Sequence, residues 1–129
     1  MAAHFTVRAE PMRDLIRISM SGFFTPDDIR EFYEARAAEH RRLTCGPNQH
    51  LTLNNLIGMK VQSQDVVGAF QSMLADPAYR SRKLAFVVDR TLARSQLMRA
   101  LNGRDAKCFE NLLTAERWLF AHDPITAAA

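Results

Sequence analysis

The sequence predicts an α/β fold, a mixed sheet of about five strands covered by about four helices. Three observations carry this prediction. Two segments of period two stand side by side at the start of the chain. Amphipathic helical stretches then alternate with short apolar runs. One of those runs, "KLAFVVD" (83–89), is apolar almost throughout, as a strand buried on both faces must be.

In the opening pair, "HFTVRA" (4–9) places Phe5 and Val7 on one face. "LIRISMS" (15–21) turns Ile16, Ile18 and Met20 one way and Leu15, Arg17, Ser19 and Ser21 the other. "EPMRD" between them carries the proline of a turn, so an antiparallel hairpin is expected. "FFTPDDIREFYEARAAEHRRL" is the clearest helix. Thr25 is a good N-cap and Pro26 suits the first helical position. Asp27, Asp28 and Glu31 face the positive end of the helix dipole, and Arg41 and Arg42 the negative end. Its inward positions are Ile29, Phe32, Tyr33, Arg36, Ala37 and His40, apolar or nearly so except Arg36 and His40.

Gly46-Pro47 breaks the chain before "HLTLNN" (50–55), a short strand with Leu51 and Leu53 on one face. "LIGMKVQ" connects it to a second helix, which starts at Ser63 and runs to about Ala75 with an apolar stripe of Val66, Val67, Phe70, Met73 and Leu74. "DPAYRSR" stops that helix, and 83–89 follows as a strand. Thr91 is the expected cap of a third helix, with Ala93, Leu97, Ala100 and Leu101 inward and Asn102-Gly103 at its end. "AKCFE" (106–110) is a strand, Thr114 the expected cap of a last helix, and 121–129 a tail. Right-handed crossovers put helices that join neighbouring parallel strands on one face.

The chain of 129 residues is read as one domain, 1–129 with its core over about 4–120. Such a length can bury roughly 70% of the unfolded surface without a staple. No apolar run approaches the ~20 residues of a membrane span, and the N-terminus lacks the layout of a signal peptide. Cys45 and Cys108 are isolated, which fits free thiols in a reducing cytoplasm. The charge is uneven. Residues 79–107 hold eight basic and two acidic residues, a balance of +6, while the rest of the chain is −3.

This layout resembles the STAS-like fold of the anti-sigma factor antagonists. It is closer still to the small bacterial proteins described as SpoIIAA-like, or STAS/SEC14-like. The resemblance spans about residues 4–120. It rests on element order and on "IRISMSGFFTPDDIREFYEA", "LTLNN", "KLAFVVD" and "AKCFENLLTAERWLF". It implies a non-catalytic regulatory module that works through a protein partner or self-association, such as a homodimer. Regulatory members carry a phosphorylatable serine at the start of the helix after the third strand, in an Asp-Ser-Ser-Gly-like turn. Ser63 occupies that position and is the candidate phosphosite, but "KVQSQDV" lacks the preceding acid, the paired serine and the following glycine. An N-cap role is the commonest reason for a serine there, and the SpoIIAA-like branch usually lacks the switch.

The candidate partner or ligand surface is Asn54, Asn55, Gly58, Lys60 and Ser63, because ligands of open α/β sheets bind beyond the carboxyl ends of strands. Leu56, Ile57 and Met59 stand in the same connection, where polar residues are usual. They either close the core or line a pocket for a small apolar ligand or lipid, as the SEC14-like connotation implies. Arg90, Arg94 and Arg99 form the candidate anion-binding group. Base-stacking aromatics other than Tyr79 are missing there, which argues against single-stranded nucleic acid, and anion or nucleic-acid binding through the basic 79–107 segment stands as a further alternative. The acidic first helix offers that basic surface a complement for self-association. No cofactor motif and no catalytic constellation is legible. The histidines His4, His40, His50 and His122 show no metal-ligand spacing, although His40, Cys45 and His50 flank one loop.

Overall fold

The computed structural model describes residues 2–89, 92–100 and 106–121, with backbone alone at 92, 93, 99 and 100. The opening hairpin is β1 (His4–Glu10) and β2 (Leu15–Ser21), paired antiparallel from His4↔Ser21 to Glu10↔Leu15. A single 3-10 turn at Pro11–Arg13 joins them, and Asp14 closes it in the left-handed region. Three further strands add in parallel: β3 (Leu51–Asn55), β4 (Lys83–Val87) and β5 (Ala106–Phe109). The sheet order is β1-β2-β3-β4-β5, an order the sequence had left open.

The helices are α1 (Pro26–His40), α2 (Gln64–Ala75), α3 (Leu92–Ala100) and α4 (Leu112–Phe120). Thr25 and Asp28 form a reciprocal capping box on α1, each side chain accepting the other's backbone N–H. Ser63 caps α2 by accepting the Val66 N–H at 3.3 Å. β1, β3 and β5 each differ from expectation by one residue at one end, and two boundaries differ by more. α4 starts three residues early, because the Asn111 side chain takes the Thr114 N–H at 2.9 Å and so holds the cap expected of Thr114. β4 ends at Val87 rather than residue 89, although the Val88 N–H still reaches the Phe109 carbonyl at 3.0 Å. Thr91, Leu101, Asn102, Gly103 and the tail from 122 onward lie outside the described residues.

Period two divides the sheet into two faces. Leu15, Leu51, Leu53, Ala85 and Val87 pack against Ala115 and Leu119 of α4. Arg17, on that same face, binds Glu10 at 2.7 Å and Glu116 at 2.9 Å, which ties α4 to the hairpin. On the opposite face, Ile16, Ile18 and Met20 pack with Ile29 and Phe32 of α1 and with Val66 and Met73 of α2. Leu84, Phe86 and Val88 pack there with Leu74 and Leu97. Strands added one after another with right-handed crossovers bring α1, α2 and α3 to one side. Only the helix after the last strand is free to cover the other.

Candidate functional site

The face beneath α1 and α2 contains a break in its hydrophobicity. Register sets Thr52 between Ile16 and Leu84, and Asn54 between Ile18 and Phe86. Interior strands of a parallel sheet ordinarily present apolar side chains to both faces. Here β3 contributes two short polar ones, both buried. A cavity of about 130 Å³ opens over them, walled by Ile16, Ile18, Met20, Phe32, Phe70, Met73, Leu84 and Phe86.

One end of the cavity, beside the start of β3, is polar and aromatic. Arg36 and His40 reach it from successive turns of α1, His50 and Thr52 from β3 and its approach, and Tyr79 and Ser81 from the segment before β4. The His40 ring meets His50 edge-on at 4.9 Å and Tyr79 at 4.8 Å between centroids. The Arg36 guanidinium lies 4.6 Å from the Tyr79 ring centroid and 5.4 Å from that of Tyr33. The Tyr33 hydroxyl donates to Asp76 at 3.1 Å, and that carboxylate raises the Tyr33 pKa. Arg36 Nη2 is buried and has no hydrogen-bond partner. Burial lowers the Arg36 pKa, and it lowers that of His40 as well, helped by the nearby Arg36 charge. His50 is only 3% exposed, and desolvation, with smaller repulsion from His40 and Arg36, pushes it down to about 4. Ser81 Oγ lies 3.3 Å from His50 Nε2 and is also bonded to Thr52 Oγ1.

The other end is closed by the connection from Leu56 to Gln62. Leu56 N–H donates to Val87 O at 2.8 Å, Met59 N–H to Leu56 O at 3.0 Å and Gly22 N–H to Gly58 O at 3.1 Å. Gln62 is buried and acts as the tie. Its Oε1 accepts from Phe24 N–H at 2.9 Å, its Nε2 donates to Gly22 O at 3.0 Å, and its backbone exchanges two bonds with the Gln96 side chain. This fastens the strap to the end of β2 and to α3.

The residues expected from sequence are distributed unevenly around this site. Asn54 and Lys60 line the cavity, as do Leu56 and Met59. Ile57 does not; it is 43% exposed on the outer side of the strap. Asn55 Oδ1 accepts the Ile57 N–H, Gly58 supplies a positive φ of 86°, and Ser63 caps α2 from an exposed position. Arg94 is half-buried, and its charge tends to lower the Cys108 thiol pKa against the stronger upward effect of burial. Arg90 and the Arg99 side chain lie outside the described residues. Cys45 and Cys108 are both half-buried free thiols, so Cys108 is less enclosed than a strand position suggests. Among the described residues no group of three or more His, Cys, Asp or Glu side chains could hold a metal ion, and no helix is long and apolar enough to cross a membrane.

Sequence reasoning missed the cluster of Arg36, His40, His50, Tyr79 and Ser81 as a unit. One signal was available: Arg36 and His40 are the two polar residues on the inward stripe of α1. In the sequence Tyr79 counts only as the one base-stacking aromatic of the basic patch; in the fold it lines the cavity beside His40 and Arg36.

No family model matches the chain, and no curated protein matches it. Among solved structures, an uncharacterized protein of the DUF3478 family with a SpoIIAA-like fold, from Shewanella loihica PV-4, is similar. It superposes with a TM-score of 0.70 over 92% of this chain and 96% of its own, at 13% identity. The fold of this chain is therefore SpoIIAA-like, as the sequence resemblance implied.

Proposed function

We propose that the protein is a non-catalytic binding module that holds a small, largely apolar molecule between its sheet and α1 and α2. The cavity carries this reading. It has apolar walls, a cluster of polar and aromatic groups at one end, and at the other a strap that adds Lys60 and Gln62. Concave, mostly apolar pockets with a few convergent polar groups are the usual form of small-molecule sites. The His50–Ser81 pair does not favour acyl transfer. Among the described contacts no carboxylate orients His50, and a group held at about 4 is a weak base at neutral pH.

Native mass spectrometry of protein purified from its own cells, repeated after denaturation, tests this. A small-molecule mass present only in the native spectrum supports binding. Protein that stays empty, and takes up no apolar compound added in excess, refutes it.

A second reading, an interaction module, has its own observation. Phe23, Ile57 and Val61 are each 43% exposed, and Ile57 and Val61 lie on the strap. A partner or a second copy docking there would sense whether the cavity beneath is filled. The same native spectrum reports it: a dimer supports self-association through this patch if Ile57→Asp converts it to monomer.

A further inference from the structure

We propose that the ligand is a small monocarboxylate with an apolar body, its carboxylate paired with Arg36. This rests on the small-molecule reading above and specifies its chemistry.

Arg36 is a cation placed where a core residue belongs. It follows Ile29 and Phe32 on the inward stripe of α1, and it lines the cavity. Tyr79 and Tyr33 approach its guanidinium as rings, and an aromatic ring accepts charge without occupying the in-plane N–H donors. The described ion pairs engage Arg13, Arg17, Arg30 and Arg42, and none engages Arg36. Asp76 acts on Arg36 through space, but its two oxygens accept from the Tyr33 hydroxyl and the Ala78 N–H. Nη2 is left buried with no acceptor, a costly arrangement for a charged donor.

The surroundings select the sign and the size of the ligand. Among the described residues no Asp or Glu lines the cavity, and Arg36 and Lys60 are its two cations, Lys60 lying at the strap end. His50 is neutral at pH 7, so Arg36 is the fixed charge that lines the polar end, with Asp76 acting on it from outside the cavity. One half-buried guanidinium, with Nη2 enclosed, balances one negative charge. A carboxylate supplies that, and it matches the in-plane geometry of guanidinium donors. A phosphate near −2 leaves surplus charge buried. The volume of about 130 Å³ is close to the ~150 Å³ cavity known to accept benzene, which limits the apolar body to about six to eight carbons.

Calorimetric titration of the full chain with octanoate, 1-octanol and octylamine tests the assignment. Octanoate is expected to bind roughly 10- to 100-fold more tightly than 1-octanol, the value of a charged hydrogen-bonded pair in a desolvated site. Arg36→Met should remove that preference and leave 1-octanol affinity within about threefold. Equal binding of acid and alcohol by the unaltered protein, tighter binding of the amine, or a preference that survives Arg36→Met overturns the assignment while the cavity reading stands. Failure of all three compounds to bind overturns both. The comparison of ligands on unaltered protein does not depend on the variant folding.

Discussion

His50 makes the stability of this protein depend on pH in a calculable way. Its imidazole is 3% exposed, faces Arg36 and His40, and has a folded-state pKa of about 4 against an ordinary 6.5. The unfolded chain therefore binds a proton on His50 that the folded chain refuses. The sign follows from linkage: stability falls wherever the unfolded state holds more protons, so it declines as pH drops below 6.5 and levels off below about 4. The complete difference is worth about 3 kcal/mol, and about 2 kcal/mol of it is lost between pH 7 and pH 5. Other groups contribute outside this window or equally in a control. Glu10 and Glu39 have lowered pKa values through Arg17 and through the Ala9 N–H, so their losses come below the ordinary carboxylate range. His40 titrates in the same direction but remains present when His50 is replaced. Urea unfolding of the unaltered protein and of His50→Gln, each at pH 7 and pH 5, isolates the effect. The variant should lose about 2 kcal/mol less over that interval, whatever its absolute stability. Parallel losses within about 0.5 kcal/mol would show that His50 is not desolvated in the folded state and that the polar end of the cavity is wet.

Three further outcomes are expected. Ser63→Ala should cost about 1 kcal/mol in thermal or urea unfolding and Ser63→Asp only a few tenths, because Ser63 accepts the Val66 N–H and Asp caps as well as Ser. Gly22→Ala should be much more harmful than Gly58→Ala. Both have φ near +85°, worth about 1 kcal/mol of strain, but a Cβ on Gly22 would stand 2.3 Å from the Ala2 carbonyl oxygen while one on Gly58 meets only Ser21 Cβ at 3.5 Å. Gln62→Ala should cost about 1–3 kcal/mol and speed hydrogen exchange in the strap and α3, since it leaves the buried Phe24 N–H without its acceptor.

The elements were legible from the chain alone, and the reasons are local. Period two marked β1 and β2, Thr25-Pro26 marked the start of α1, and Ser63 the start of α2. Each signal depends on a few adjacent residues and on backbone hydrogen bonds that close within one turn or one hairpin. Local rules fail where two caps compete, as at Asn111 and Thr114, three residues apart. Part of the site was legible for the same reason. Asn54 and Lys60 sit at a strand's carboxyl end, a position readable from element order, and the apolar strap residues Leu56 and Met59 stood out against a polar expectation.

The chemistry of the cavity emerges only on folding. Arg36, His50 and Tyr79 are separated by 14 and 29 positions, and no periodicity links them. Their meeting follows from strand order, which sets β3 between β2 and β4, and from the crossover that carries α1 over the same face. That order is fixed by the packing of whole faces, a sum over many weak contacts that no short segment encodes. The same packing makes Arg36 informative. On an isolated helix it is a solvated charge of no consequence, and only the walls of the folded protein leave one of its nitrogens buried and in want of an acceptor.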